Sequence, residues 1–150
     1  MTAAMRFLVG LAPWIIIAMI GLPVILPADW WMRVEAVRVA DVDEGQTPQM
    51  VVIRTIRRDF TADWVATVRR VEAGGSVAVC VARGRSDYRT TSVLPAPPKL
   101  TLAWWLNGGA CALEPGAYVM TTKWSIDTVS PLDKIVTAVS NVFTVRPSPP

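Results

Sequence analysis

Tyr118–Ile126 reads YVMTTKWSI, an alternation from which the architecture can be built. Tyr118, Met120, Thr122, Trp124 and Ile126 fall on one face of an extended chain, with Thr121, Lys123 and Ser125 on the other, because successive strand side chains point to opposite sides. A sheet with one face on a core and one in water shows this pattern. The period recurs upstream in Ala62–Val71, where Ala62, Trp64, Ala66 and Val68 oppose Asp63, Thr67 and Arg69 and make Trp64 the leading core aromatic. Further candidate strands are Arg33–Val39, Met50–Ile56, Ser76–Ala82, Leu100–Leu106 and Lys134–Val145, β-branched runs separated by Gly, Pro, Asp and Ser. Leu100–Leu106, LTLAWWL, does not alternate cleanly, so as a strand it is buried on both faces or bulged, and its adjacent Trp104 and Trp105 point to opposite faces. EAGGS at Glu72–Ser76 reads as a hairpin connection, and DVDEGQTP at Asp41–Pro48 as an acidic loop. The reading predicts an all-β, seven-stranded antiparallel β-sandwich over residues 32–146 and a free tail, PSPP, over 147–150.

The run just before this strand, Leu113–Tyr118 (LEPGAY), resembles the tyrosine corner of immunoglobulin-like and fibronectin type III-like sandwiches. The resemblance covers about ten residues. It implies that Leu113, Pro115, Gly116 and Tyr118 shape the corner, with the Tyr118 hydroxyl bonding back to upstream backbone. Cys80 and Cys111 do not fall on the second and sixth strands, where the immunoglobulin inter-sheet disulfide sits, which argues against an antibody-type domain.

At the other end, Phe7–Ala28 carries no charge. Its helical length of about 33 Å matches a hydrocarbon core of about 30 Å. The expectation is a transmembrane helix within an N-terminal anchor over residues 1–31, closed by Trp30 and Trp31 at the membrane interface. Pro13 and Pro23 weaken it, and a cleaved signal peptide or a buried helix are the alternatives. With the N-terminus inside, the domain lies in the periplasm of a bacterium, on a single-pass inner-membrane anchor.

Composition narrows the chemistry. The chain of 150 residues is 52% hydrophobic and 18% charged, too apolar for disorder, and its net charge of +3 is too small for a nucleic-acid face. It contains no His, which removes the commonest general base and metal ligand. No Gly-x-Ser-x-Gly, Ser-x-x-Lys or Cys-x-x-Cys motif is present, so neither a catalytic residue, a metal site nor a cofactor is expected. The only two thiols, Cys80 and Cys111, are read as a disulfide. Its alternative is a buried Cys80 and a free loop Cys111. Arg54, Arg57, Arg58, Arg83, Arg85 and Arg89 recur at strand ends near Tyr88 as a possible binding rim, with Trp104 as a contact point. The bland reading is that they protect sheet ends.

RTIRRDFTADWVATVRR (54–70), SDYR (86–89), LTLAWWLNGGACALEPGAYVMTTKW (100–124) and SNVFTVR (140–146), behind an apolar N-terminus, resemble small proteins encoded in bacteriophage and prophage genomes. That resemblance implies an inner-membrane or virion-associated place and transfers no catalytic residue. The expected function is binding or structural, toward the lipid bilayer and a protein or envelope partner. The alternative is a bacteriophage structural, assembly or lysis component.

Overall fold

The computed structural model describes residues 13–14, 26–109, 111–128 and 133–148. Its strands are β1 (Met32–Val39), β2 (Val42–Asp43), β3 (Met50–Ile56), β4 (Phe60–Glu72), β5 (Gly75–Tyr88), β6 (Gly116–Ile126), β7 (Lys134–Val139) and β8 (Phe143–Arg146). A single helical turn, α1 (Leu102–Trp105), lies between β5 and β6.

β1 and β3 pair antiparallel as a two-stranded sheet. The larger sheet runs β2-β8-β6-β4-β5, and β7 pairs with β6 farther along the edge that β8 occupies. β2 pairs with β8 in parallel and ties the loop after β1 into this sheet. The core lies between the sheets: Met32, Val37, Val39 and Met50 meet Ala62, Ala66, Val68, Tyr118, Met120, Trp124, Ile126 and Phe143. These residues form strands because every second side chain can be buried while the intervening ones reach water, as the alternation along β6 shows.

Asn141 joins the two sheets at the break between β7 and β8. Its Oδ1 accepts from Val39 N at 2.8 Å, and its Nδ2 donates to Val39 O at 3.0 Å, so one side chain supplies β1 with the pair of bonds a neighbouring strand would give.

Several sequence expectations are corrected. Among the described residues no helix is long and apolar enough to cross a membrane. The transmembrane helix expected over Phe7–Ala28 falls largely on residues 7–12 and 15–25, which lie outside the described residues. Where the described chain resumes, Pro27 is extended (φ −68°, ψ 157°) and Ala28–Trp30 makes one 3-10 turn leading into β1. The membrane anchor over 1–31, and the single-pass inner-membrane location that depended on it, are therefore withdrawn. The seven-stranded immunoglobulin-like sandwich is revised to eight strands among the described residues, split two and six. The predicted strand Lys134–Val145 is two strands, because Ser140 turns inward: its N–H donates to Met120 O at 2.8 Å, and its Oγ accepts from Met120 N at 2.9 Å. Leu100–Leu106 is not a strand. Thr101 Oγ1 accepts from Trp104 N at 3.2 Å and starts α1, as an N-cap Thr does.

Candidate functional site

The inner face of β5 carries small side chains in sequence: Ala82, Gly84 and Ser86, ending at Tyr88. They leave space above the sheet, and aromatic residues from three other elements surround it. Trp64 on β4 pairs with Gly84 on one side and Trp124 on the other. α1 brings Trp104 and Trp105 over the opposite side. Together with Arg54 from β3, Thr122, Ser92, Asn107 and Gly108 they line an open cavity of about 620 Å³. That volume falls within the range of small-molecule sites, about 300–1,000 Å³.

Each indole except that of Trp104 is locked by its N–H. Trp64 Nε1 donates to Ser86 Oγ (3.1 Å), Trp105 Nε1 to Thr122 Oγ1 (2.9 Å) and Trp124 Nε1 to Tyr88 Oη (3.0 Å). Trp105 meets Trp124 edge-on, with centroids 6.2 Å apart and planes at 86°, a favoured aromatic geometry. Tyr88 stacks on Phe60 at 4.9 Å. Trp104 remains 49% exposed at the mouth. Asn107 (φ 56°) and Gly108 (φ 71°) adopt left-handed backbone there, and the chain turns away from α1.

The Arg54 guanidinium stands 5.3 Å from the Tyr88 ring centre. Burial pulls it below its ordinary value, and burial raises the Tyr88 phenol above its ordinary 10.0. Both shifts follow from the cost of a charge away from water.

The arginine rim does not assemble. Arg54 points inward from β3, whereas Arg85 on the outer face of β5 pairs with Asp63 at 3.1 Å and also with Asp127. Arg89 pairs with Asp59 at 3.5 Å, and the Arg58 guanidinium lies over the Trp30 ring at 4.5 Å. Arg57 is exposed, and Arg83 faces out opposite Val65. Trp30 thus carries a cation on one face and stays exposed, and Trp31 packs against the core.

Cys80 and Cys111 are joined by a disulfide with Cα atoms 5.8 Å apart, tying the loop before β6 to β5. At the corner, Tyr118 Oη donates to Glu114 O at 2.7 Å. Arg70 closes the same corner through Glu114 and Pro115 O, each at 3.2 Å, and packs beside Gly116. Leu113 packs on the core edge.

Sequence reading placed Tyr88, Trp104 and Arg54 near a site and Trp64 and Trp124 in the core, where Trp124 is fully buried and Trp64 packs against it, while both also border the cavity. It missed Trp105 and Ser86 as site residues. The signal was Ala82-x-Gly84-x-Ser86-x-Tyr88, a small-residue row that extends β5 beyond the predicted end at Ala82. Comparison with family models, curated proteins and solved structures returns no match.

Proposed function

We propose that this β-domain is a non-catalytic binding module whose ligand is a saccharide seated in the Trp-lined cavity. The observation that carries the reading is an open hollow with the exposed Trp104 and the half-buried Trp64 on its walls, the buried Trp105 and Trp124 behind them, and polar groups at its rim. Sugar rings have flat C–H faces that lie against indoles and hydroxyls that reach groups such as Ser92 and Asn107. A surface of rigid aromatic walls with a few polar groups loses little entropy on binding. Catalysis is a poorer fit, because the chain has no His and the cavity hydroxyls of Ser86, Tyr88 and Thr122 are held by indole N–H groups. The disulfide is compatible with an extracytoplasmic setting, where envelope and extracellular glycans are found.

The test is titration of the full chain with an oligosaccharide panel, read by indole emission and indole N–H NMR shifts. Saturable binding is expected, with Trp104→Ala lowering affinity about tenfold or more, as loss of one stacking face does. Its exposure predicts an almost unchanged melting temperature. No saturable response across the panel, or binding indifferent to both Trp104→Ala and Trp64→Ala, overturns the reading.

A further inference from the structure

Arg54 occupies an unusual place for a cation. It lies on the inward row of β3 with Met50, Val52 and Ile56, and a charge in such a row is costly unless something compensates it. Its Nε–H is buried and meets no hydrogen-bond acceptor among the described residues. What faces its guanidinium is the Tyr88 ring, which attracts a cation but neutralises no charge. The one carboxylate of the cavity lining, Asp87, is engaged on the other side of β5, where Thr61 Oγ1 donates to it at 2.6 Å. Tyr88 Oη accepts the Trp124 N–H and also engages the Ser86 side chain, so it brings no opposite charge to Arg54. The cavity therefore combines aromatic walls with one guanidinium that has no carboxylate partner among the described residues.

The geometry points to an acidic saccharide of the uronic-acid class, its carboxylate held by Arg54 and its rings against the indoles. This inference rests on the saccharide-binding reading above and adds the charge of the ligand to it. A planar guanidinium matches a carboxylate in shape, and a lining with one cation, and with Asp87 turned to the other side of β5, suits a monoanion at most, whereas a phosphate dianion calls for more cations. Side-chain hydroxyl and amide groups spaced between aromatic faces suit a polyhydroxylated ring. An extended peptide would instead seek the edge of β5, which pairs with no further strand among the described residues.

The experiment is calorimetric titration of the full chain with three probes: a trigalacturonic acid, its fully methyl-esterified form with the same rings and no charge, and a short peptide ending in a free carboxylate. The acid is expected to bind at least about tenfold tighter than the ester, since charge-assisted hydrogen bonds are the strong ones. The preference should shrink with added salt and vanish in Arg54→Gln. Equal affinity for acid and ester overturns the inference and leaves the saccharide reading standing. Binding of the peptide alone overturns both in favour of a protein ligand, and binding of none of the three, with the oligosaccharide panel also silent, overturns both outright. Should Arg54→Gln fail to fold, the acid and ester comparison on the unmodified chain decides the matter.

Discussion

Trp64 lies so close against Gly84 that a Cβ on the glycine would stand 2.7 Å from Trp64 Cζ2 and 2.9 Å from Cε2. The two residues are direct partners across β4 and β5, so the hydrogen at position 84 is what lets the indole lean over the neighbouring strand and reach Ser86. The cavity wall depends on this contact.

Gly84→Ala is therefore expected to push Trp64 off Ser86 and to cost about 1–3 kcal/mol, the usual size of overpacking. That amounts to a fall of several degrees in melting temperature. In a Trp64→Ala background the sign should reverse, because Ala is the better strand residue by about 0.5–1 kcal/mol once the clash is gone. Thermal melts of the four chains of this cycle check it, and a Gly84→Ala cost unchanged by removal of the indole would refute it.

The disulfide links positions 31 residues apart. Constraining a loop of that length in the unfolded chain predicts a stabilisation of about 3–4 kcal/mol by the chain-entropy relation. The double variant Cys80→Ala/Cys111→Ala, which leaves no lone thiol, should lower the urea midpoint accordingly, and reductant should then have no further effect. A difference below about 1 kcal/mol would contradict the entropic account.

How far the sequence foretold this arrangement depends on whether a local period existed to be read. β6 was legible because its five buried side chains alternate without exception, and the break of each predicted strand follows from something the period does not contain. LTLAWWL is apolar at almost every position, so period alone cannot separate a buried strand from a helical turn. The deciding bond is local, from Trp104 N to Thr101 Oγ1, and it turns two adjacent indoles toward one cavity. Ser140 and Asn141 split the last predicted strand through bonds to Met120 and Val39, partners distant in the chain. Arg54 sits in register with Met50 and Val52, so its inward direction was present in MVVIRTI. Grouping it with Arg57 and Arg58 by charge hid that direction. The N-terminal apolar run shows the opposite error, since hydropathy alone suggested a membrane span that no described helix provides.

Asp59 predicts the acid behaviour. Thr90 N donates to its Oδ1 at 2.8 Å, and with Arg89 close by the carboxyl is held below its ordinary value of 3.8. A carboxyl depressed in the folded state adds stability that is complete above the unfolded value and is lost as pH falls through the lower folded value. Asp59→Asn should leave a shallower loss of melting temperature below about pH 4 than the unmodified chain shows, with the two curves parallel above about pH 5. Melts from pH 2 to 7 check this, and identical acid limbs would remove Asp59 from the account.

Tyr118 separates the hydroxyl from the ring. The side chain is 1% exposed, stacks on Phe143 with centroids 5.8 Å apart, and donates its hydroxyl to Glu114 O at 2.7 Å. Tyr118→Phe keeps the stacking and deletes one hydrogen bond. The orphaned carbonyl belongs to an exposed residue that water reaches, so the cost should be about 0.5–1.5 kcal/mol. Tyr118→Ala removes the ring as well and should cost about 3–5 kcal/mol, as large aromatic truncations in cores do. Arg70 also holds this corner through Glu114 and Pro115 O, so an Arg70→Met change made with Tyr118→Phe should cost more than the two changes summed, because each clasp covers for loss of the other. Denaturant unfolding of this series is the measurement. A Tyr118→Phe chain as unstable as Tyr118→Ala would show that the hydroxyl, and not the buried ring, supports the start of β6.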